Sequence, residues 1–129
     1  MILNDRVRAL LDDRSFAVLA TLNPDGSPHT SVIWVTRDSD TVLFTTHTKR
    51  RKARNLRRDP RASLTVFAAD DPYQTADIRG TVELIPDPDR TLSIQLTQRY
   101  LGEDPPEDPP GSERLIGRVT PEHVGGFAR

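Results

Sequence analysis

The sequence predicts a mainly β fold with short helices, arranged as a small barrel. Three observations carry that reading. Five or six short segments rich in β-branched and aromatic residues are separated by turn chemistry such as "NPDG" at 23–26 and "RDSD" at 37–40. The stretches with helical spacing are few and short. In "FAVLATL" (16–22) both alternating sets, Phe16/Val18/Leu22 and Ala17/Leu19, are largely apolar, as in a barrel wall that also meets a partner subunit. A chain of 129 residues fits one domain, residues 1–129, with its own core but little margin to enclose a ligand unaided. Oligomerisation relieves that constraint.

Taken in order, Val7, Leu10 and Leu11 recur at helical spacing in "LNDRVRALLDDR", with Asn4 or Asp5 as N-cap. "FAVLATL" (16–22), "HTSVIWVT" (29–36) and "TVLFTT" (41–46) then predict a three-stranded antiparallel meander. The basic stretch "KRRKARNLRR" (49–58) reads as a helix of about three turns that Pro60 stops at or before Asp59. "RASLTVFA" (61–68) and "ADIRGTVELI" (76–85) predict two further strands joined by the loop "ADDPYQT", with Gly80 at a bend or a close backbone approach. A helix is expected over 89–101, where Leu92, Leu96 and Tyr100 share a face. "GEDPPEDPPG" (102–111), with four prolines and four acids, favours an extended, solvated linker. "ERLIGRVTPEHVGGF" supplies one last strand or a strand pair.

Charge narrows the function classes. Seven of the ten residues at 49–58 are cationic although the formal net charge is −1. From Glu83 to Glu113 eight acids face two bases, Arg90 and Arg99, which argues against a general polyanion binder, basic over a whole face. Aromatics make up 5% of the chain, too few for the base stacking of a single-strand binder. No nucleic-acid partner is expected. Cysteine is absent, which removes disulfides and thiolate metal sites. No apolar run approaches the roughly 20 residues that span a bilayer, and the opening residues carry acids where a signal peptide is apolar. The expected setting is the cytoplasm, with no membrane partner.

On a helix over the basic stretch, Ala53 and Leu56 form the apolar stripe that packs on the barrel. Thr48, Lys52 and Asn55 lie on one flank, and Arg51, Arg54 and Arg58 line the opposite, more exposed one. The helix starts straight after "FTTHT", so backbone N–H groups, Thr hydroxyls, Arg50 and Lys52 converge where an anion gains both the helix dipole and charge-assisted hydrogen bonds. A solvated charged face is the competing reading of the same run. His29, His47 and His123 are dispersed without metal-ligand spacing and read as turn or core residues; no metal is expected. No acid–base catalyst stands out. Trp34 fills the core or forms a pocket wall, and Tyr73 sits in a surface loop.

The segments "FAVLATLNPDGSPHTSVIWV", "TVLFTT" and "RKARNLRRDPRASLTV" resemble the pyridoxamine-phosphate-oxidase-like split β-barrel flavoprotein superfamily, the FMN-binding split barrel. Within it, the wording "RNLRRDPRAS" is most similar to the F420-dependent (FDOR-B type) branch, which uses a deazaflavin coenzyme. The resemblance covers roughly residues 5–85 well and the remainder loosely. It implies a homodimer with paired cofactor sites at the interface. The phosphate-gripping positions map onto Arg50, Arg51 and Lys52, with Thr45, Thr46 and Thr48 leading in, and the strand beside the flavin-type ring maps onto Ser31, Val32, Ile33 and Trp34. The implied activity is hydride transfer from reduced F420 to an unsaturated small organic molecule. FMN in place of F420, or a non-enzymatic F420 carrier, are the alternatives the sequence leaves open.

Overall fold

A computed structural model describes residues 2–127. Helix α1 (Asp5–Asp12) is followed by β1 (Phe16–Leu22), β2 (Pro28–Trp34), β3 (Thr36–Asp38), β4 (Thr41–His47), α2 (Arg51–Arg58), β5 (Arg61–Ala68), β6 (Asp71–Pro86), α3 (Thr91–Leu101) and β7 (Arg114–Gly125). All strand pairs are antiparallel, in the order β2-β1-β5-β6-β7-β4-β3. This is a split β-barrel with three short helices.

The barrel fills from the inward positions of each strand. Ala17, Leu19, Phe44, Leu64, Val66, Ile78 and Val119 are all at most 1% exposed, and Val7 and Leu11 of α1 close one end. Each such Val, Leu, Ile or Phe side chain contributes roughly 1.5–3 kcal/mol by leaving water. Asn4 caps α1 by accepting from the Val7 N–H at 2.9 Å, one of the two caps the sequence offers. On β1, Ala17, Leu19 and Thr21 are buried while Phe16, Val18, Ala20 and Leu22 stay half-exposed, so the outer face of the wall is apolar too.

The predicted three-stranded meander does not form. β2 pairs with β1 alone, and β3 and β4 form a hairpin at the other end of the hydrogen-bonded order. Val35 and Thr36 are both buried, which breaks the alternation of a continuous strand. The Val35 backbone is instead taken up by the Tyr100 hydroxyl, which accepts from its N–H at 3.2 Å and faces its carbonyl at 3.2 Å. The chain thus leaves one sheet edge and restarts at another.

Two further expectations shift, and a third is met in its simpler form. Helix α2 has eight residues, just over two turns, because Thr48 is tied to Glu113, just before β7, and residues 48–50 form a turn closed by the Arg50 N–H on the His47 carbonyl at 3.0 Å. The 69–75 stretch is mostly strand: β6 starts at Asp71, with a register shift between Phe67 and Ala68 absorbing the irregularity. The C-terminal segment is one strand, β7, paired with both β4 and β6. Gly80 is where the sequence places it, at a register shift, and a Cβ there would lie 2.0 Å from the Thr120 carbonyl oxygen.

Candidate functional site

Helix α2 is seated by the stripe expected of it, Ala53 and Leu56 being 2% and 3% exposed. Asn55, grouped with Thr48 and Lys52 on the less exposed flank, turns further inward. It is fully buried, and its Nδ2 donates to Thr21 Oγ1 at 3.1 Å and Asn23 Oδ1 at 3.0 Å, pinning the helix to the end of β1. Arg58 caps the same junction, donating to the Leu22 carbonyl and to Asn55 Oδ1, so it is not a purely solvated charge. These bonds fix the direction in which Lys52 leaves the helix.

Lys52 enters an open groove of about 280 Å³ between β2, β4 and α3. Val32, Ile33 and Trp34 form one side, Thr45 and Arg114 the floor, and Ser93, Thr97, Leu101, Glu103, Pro105 and Pro106 the other side. Burial, with a further contribution from the charge of Arg50, holds the Lys52 ammonium below the usual lysine pKa. No acidic partner relieves it among the described residues. The Trp34 indole is stacked on Tyr100 with ring centroids 5.0 Å apart and planes 12° apart, which makes it a fixed wall. β2 is an edge strand, so one row of its backbone N–H and C=O groups is free of a strand partner.

The predicted residues therefore separate into groups. Val32, Ile33, Trp34, Thr45 and Lys52 meet in the groove, although the Ile33 side chain is buried in the core and offers the site its backbone. The hydroxyls of Ser31 and Thr46 are buried without a hydrogen-bond partner. Thr48 Oγ1 is occupied, accepting from the Glu113 N–H at 3.0 Å. Arg50 stands exposed at the helix N-cap, its charge felt by Lys52 and His47. Arg51 lies apart from the groove, in a separate open cavity of about 420 Å³ with Asn23, Pro24, Asp25 and His29.

Sequence reasoning missed Arg114, Ser93, Thr97 and the 103–106 stretch. The small polar pair Ser93/Thr97 at i, i+4 on α3 was the available signal for one wall. The first base after a long acidic run was the signal for Arg114.

A half-buried cation without an acidic partner, sharing its groove with the Thr45 hydroxyl and Arg114, fits an anionic group. Residues 3–127 match the sequence profile of the family described as Pyridoxamine 5'-phosphate oxidase. The chain belongs to that family. Among similar solved structures, one titled F420 Reductase is 34% identical, covers 92% of this chain and 94% of its own, and superposes with a TM-score of 0.79. A conserved hypothetical protein, Rv2991 from Mycobacterium tuberculosis, is 23% identical over 96% of this chain and 83% of its own, with a TM-score of 0.74. A pyridoxamine 5'-phosphate oxidase-related, FMN binding protein from Nostoc punctiforme is 19% identical over 96% and 84%, with a TM-score of 0.63. The last two share the fold of this pyridoxamine 5'-phosphate oxidase family member.

Proposed function

We propose that the protein is an F420-dependent reductase that passes a hydride from the reduced deazaflavin to an unsaturated organic substrate. The observation that carries this reading is Lys52, half-buried and without an acidic partner in a groove walled by Trp34. The 34% identity to a chain titled F420 Reductase, over nearly the full length of both, supports the deazaflavin over FMN. When bound, the deazaflavin supplies the hydride chemistry, and the protein binds and orients it.

In this reading Lys52 binds the cofactor phosphate, with Arg50 adding charge at the helix start. The free backbone edge of Val32–Trp34 would hydrogen-bond the bound ring system, and Trp34, fixed by Tyr100, would wall it. A groove of about 280 Å³ falls just short of the roughly 300–1,000 Å³ of small-molecule sites. A second copy of the chain packed on the apolar outer face beside Val32, itself 66% exposed, completes it. The functional unit is then a homodimer with two interfacial sites.

The test is a fluorescence titration of the recombinant protein, made in a host lacking F420, with F420 and with FMN. The expected outcome is a nearly colourless protein that binds F420 more tightly than FMN and oxidises F420H2 only with an acceptor present. Purification with stoichiometric, tightly held FMN would transfer the assignment to an FMN-binding oxidoreductase. Tight F420 binding without turnover on any enone or quinone acceptor would leave a cofactor carrier.

A further inference from the structure

The acidic, proline-rich segment 102–111 is irregular, as its composition predicts, but it is not a free linker. Gln98 Nε2 donates to Asp104 Oδ1 at 2.6 Å, Arg90 Nη2 to the Pro106 carbonyl, and Lys49 Nζ to the Pro110 carbonyl. Asp108 is wedged between two guanidiniums, 3.5 Å from Arg90 Nε and hydrogen-bonded through both oxygens to Nε and Nη2 of Arg114. The side chains of Asp108 and Arg114 are only 16% and 13% exposed. Glu103, Pro105 and Pro106 of the same segment wall the groove that Lys52 enters.

Arg114 is therefore held in one pose at the floor of that groove. A guanidinium has five N–H donors in a rigid fork. Nε and one N–H of Nη2 go to Asp108, and one N–H of Nη1 goes to Thr45 Oγ1 at 3.3 Å. That leaves one N–H on each terminal nitrogen without a protein acceptor among the described residues. Asp108 does not neutralise the floor, because its single negative charge is shared by Arg90 and Arg114. The hydrogen bond from Arg114, then the charges of Arg114 and Arg90, hold the Asp108 carboxyl below the usual carboxylate range, so it stays ionised.

We propose that Arg114, braced by Asp108, is the second anion-binding group of the groove, gripping the phosphate of the bound cofactor together with Lys52. The inference rests on the cofactor reading above and extends it to β7 and to the 102–111 segment, which becomes a built part of the site. The two cations are complementary: Lys52 is a compact charge on a flexible stem, whereas Arg114 offers a planar pair of donors suited to two phosphate oxygens. Bracing removes the side-chain freedom that binding would otherwise freeze, which makes the grip tighter than that of a loose arginine.

The alternative is that Arg114 only fastens the segment to the barrel. Two ligand pairs distinguish these roles: F420 against the same deazaflavin riboside without phosphate, and FMN against riboflavin. Arg114→Met should weaken the phosphate-bearing member of each pair by about tenfold or more and leave the phosphate-free member within about twofold. Asp108→Asn should weaken the same members by less. Arg114→Lys keeps the charge and loses the fork, and it serves if the methionine variant does not fold; it too should lower affinity for phosphate-bearing ligands selectively. Equal losses on both members of a pair, or no loss on either, would overturn the proposal. Broadening of the phosphorus resonance of inorganic phosphate adds an arm independent of the cofactor. Broadening that Arg114→Met abolishes supports the anion site even if neither F420 nor FMN binds, an outcome that would sink the cofactor reading alone.

Discussion

The Tyr100 hydroxyl takes the place of a strand at Val35. It accepts from the Val35 N–H at 3.2 Å, and its proton is shared between the carbonyls of Ser15 and Val35, so the backbone that breaks between β2 and β3 is not left unpaired. The same ring stacks on Trp34 and tilts against Phe16. One side chain on α3 thus holds both the split in the barrel and the wall of the groove. Tyr100→Phe keeps the ring and strands buried backbone groups, so it should cost about 1–3 kcal/mol of stability. Urea denaturation should show a lower midpoint at unchanged slope; a midpoint within error of the parent would mean the hydroxyl is dispensable.

Gly80 sits where β6 crosses close to β7. A methyl at that position would lie 2.0 Å from the Thr120 carbonyl oxygen and 2.9 Å from its carbon, both of them backbone atoms that cannot swing away. Gly80→Ala must push the two strands apart, with a cost on the order of 1–3 kcal/mol or more. Thermal unfolding of this variant should begin well below that of the parent, and a Gly125→Ala control, where the new Cβ meets nothing within 4 Å, should change little by comparison.

Acid should destabilise the protein in two stages. Burial, then the charges of Arg114 and Arg50, lower the His47 pKa in the folded state below the ordinary imidazole value of about 6.5. The unfolded chain therefore binds that proton first, and stability falls as pH drops below about 6.5. Asp108, depressed by Arg114, contributes stability that is full above the unfolded carboxylate pKa of about 3.9 and is lost as pH falls through its folded value. Urea midpoints measured from pH 7.5 to 3 should show a shallow upper limb that His47→Gln removes and a steeper lower limb that Asp108→Asn reduces. An upper limb identical in His47→Gln would assign it to another group.

Phe16, Val18 and Trp34 stand on one outer face with the exposed Val32 and with Phe67, paired across β2, β1 and β5 as Phe16↔Trp34, Val18↔Val32 and Phe16↔Phe67. Tyr100 covers the Phe16 and Trp34 end of this face, and the proposed second copy would cover the rest around Val18 and Val32. Sedimentation equilibrium at micromolar concentration should report a dimer, and Val18→Glu should shift it toward monomer. A parent protein that is only monomeric would remove the interfacial completion of the groove.

Much of this was legible in the sequence, and the illegible parts have physical causes. Strands at 16–22 and 61–68 follow from β-branched runs between turns, and the stop of α2 at Arg58 follows from Pro60. Strand partnership did not follow, because local pattern says which residues are extended but not which edge receives them, and the Tyr100 bond that ends β2 comes from a distant helix. That Lys52 and the 32–34 edge meet in one groove was readable, since helix geometry and family resemblance point at the same end of the barrel. Asn55 was grouped with Lys52 on the less exposed flank, but its full burial was not legible, because its partners Thr21 and Asn23 lie on a distant strand end. Arg114 was invisible because its place depends on Asp108, in a segment whose composition reads as linker.

Lys52 and Arg54 separate a built anion site from a diffuse charged surface. Lys52 is half-buried in the groove, and Arg54, on the same helix, is exposed and makes no side-chain hydrogen bond or ion pair among the described residues. On the proposed phosphate role, Lys52→Ala would remove a charge-assisted hydrogen bond worth about 1.5–3 kcal/mol, so F420 affinity should fall roughly tenfold or more. Arg54→Ala removes a screened, solvated charge whose effect is usually within about 1 kcal/mol, and affinity should stay close to that of the parent. Arg58 is unsuited as the control because it bonds the Leu22 carbonyl and Asn55, so its loss would disturb the seat of the helix. Fluorescence titration of both variants decides the matter: a shared moderate loss would describe a diffuse basic surface, and no loss in either would return the whole basic stretch to the status of a solvated face.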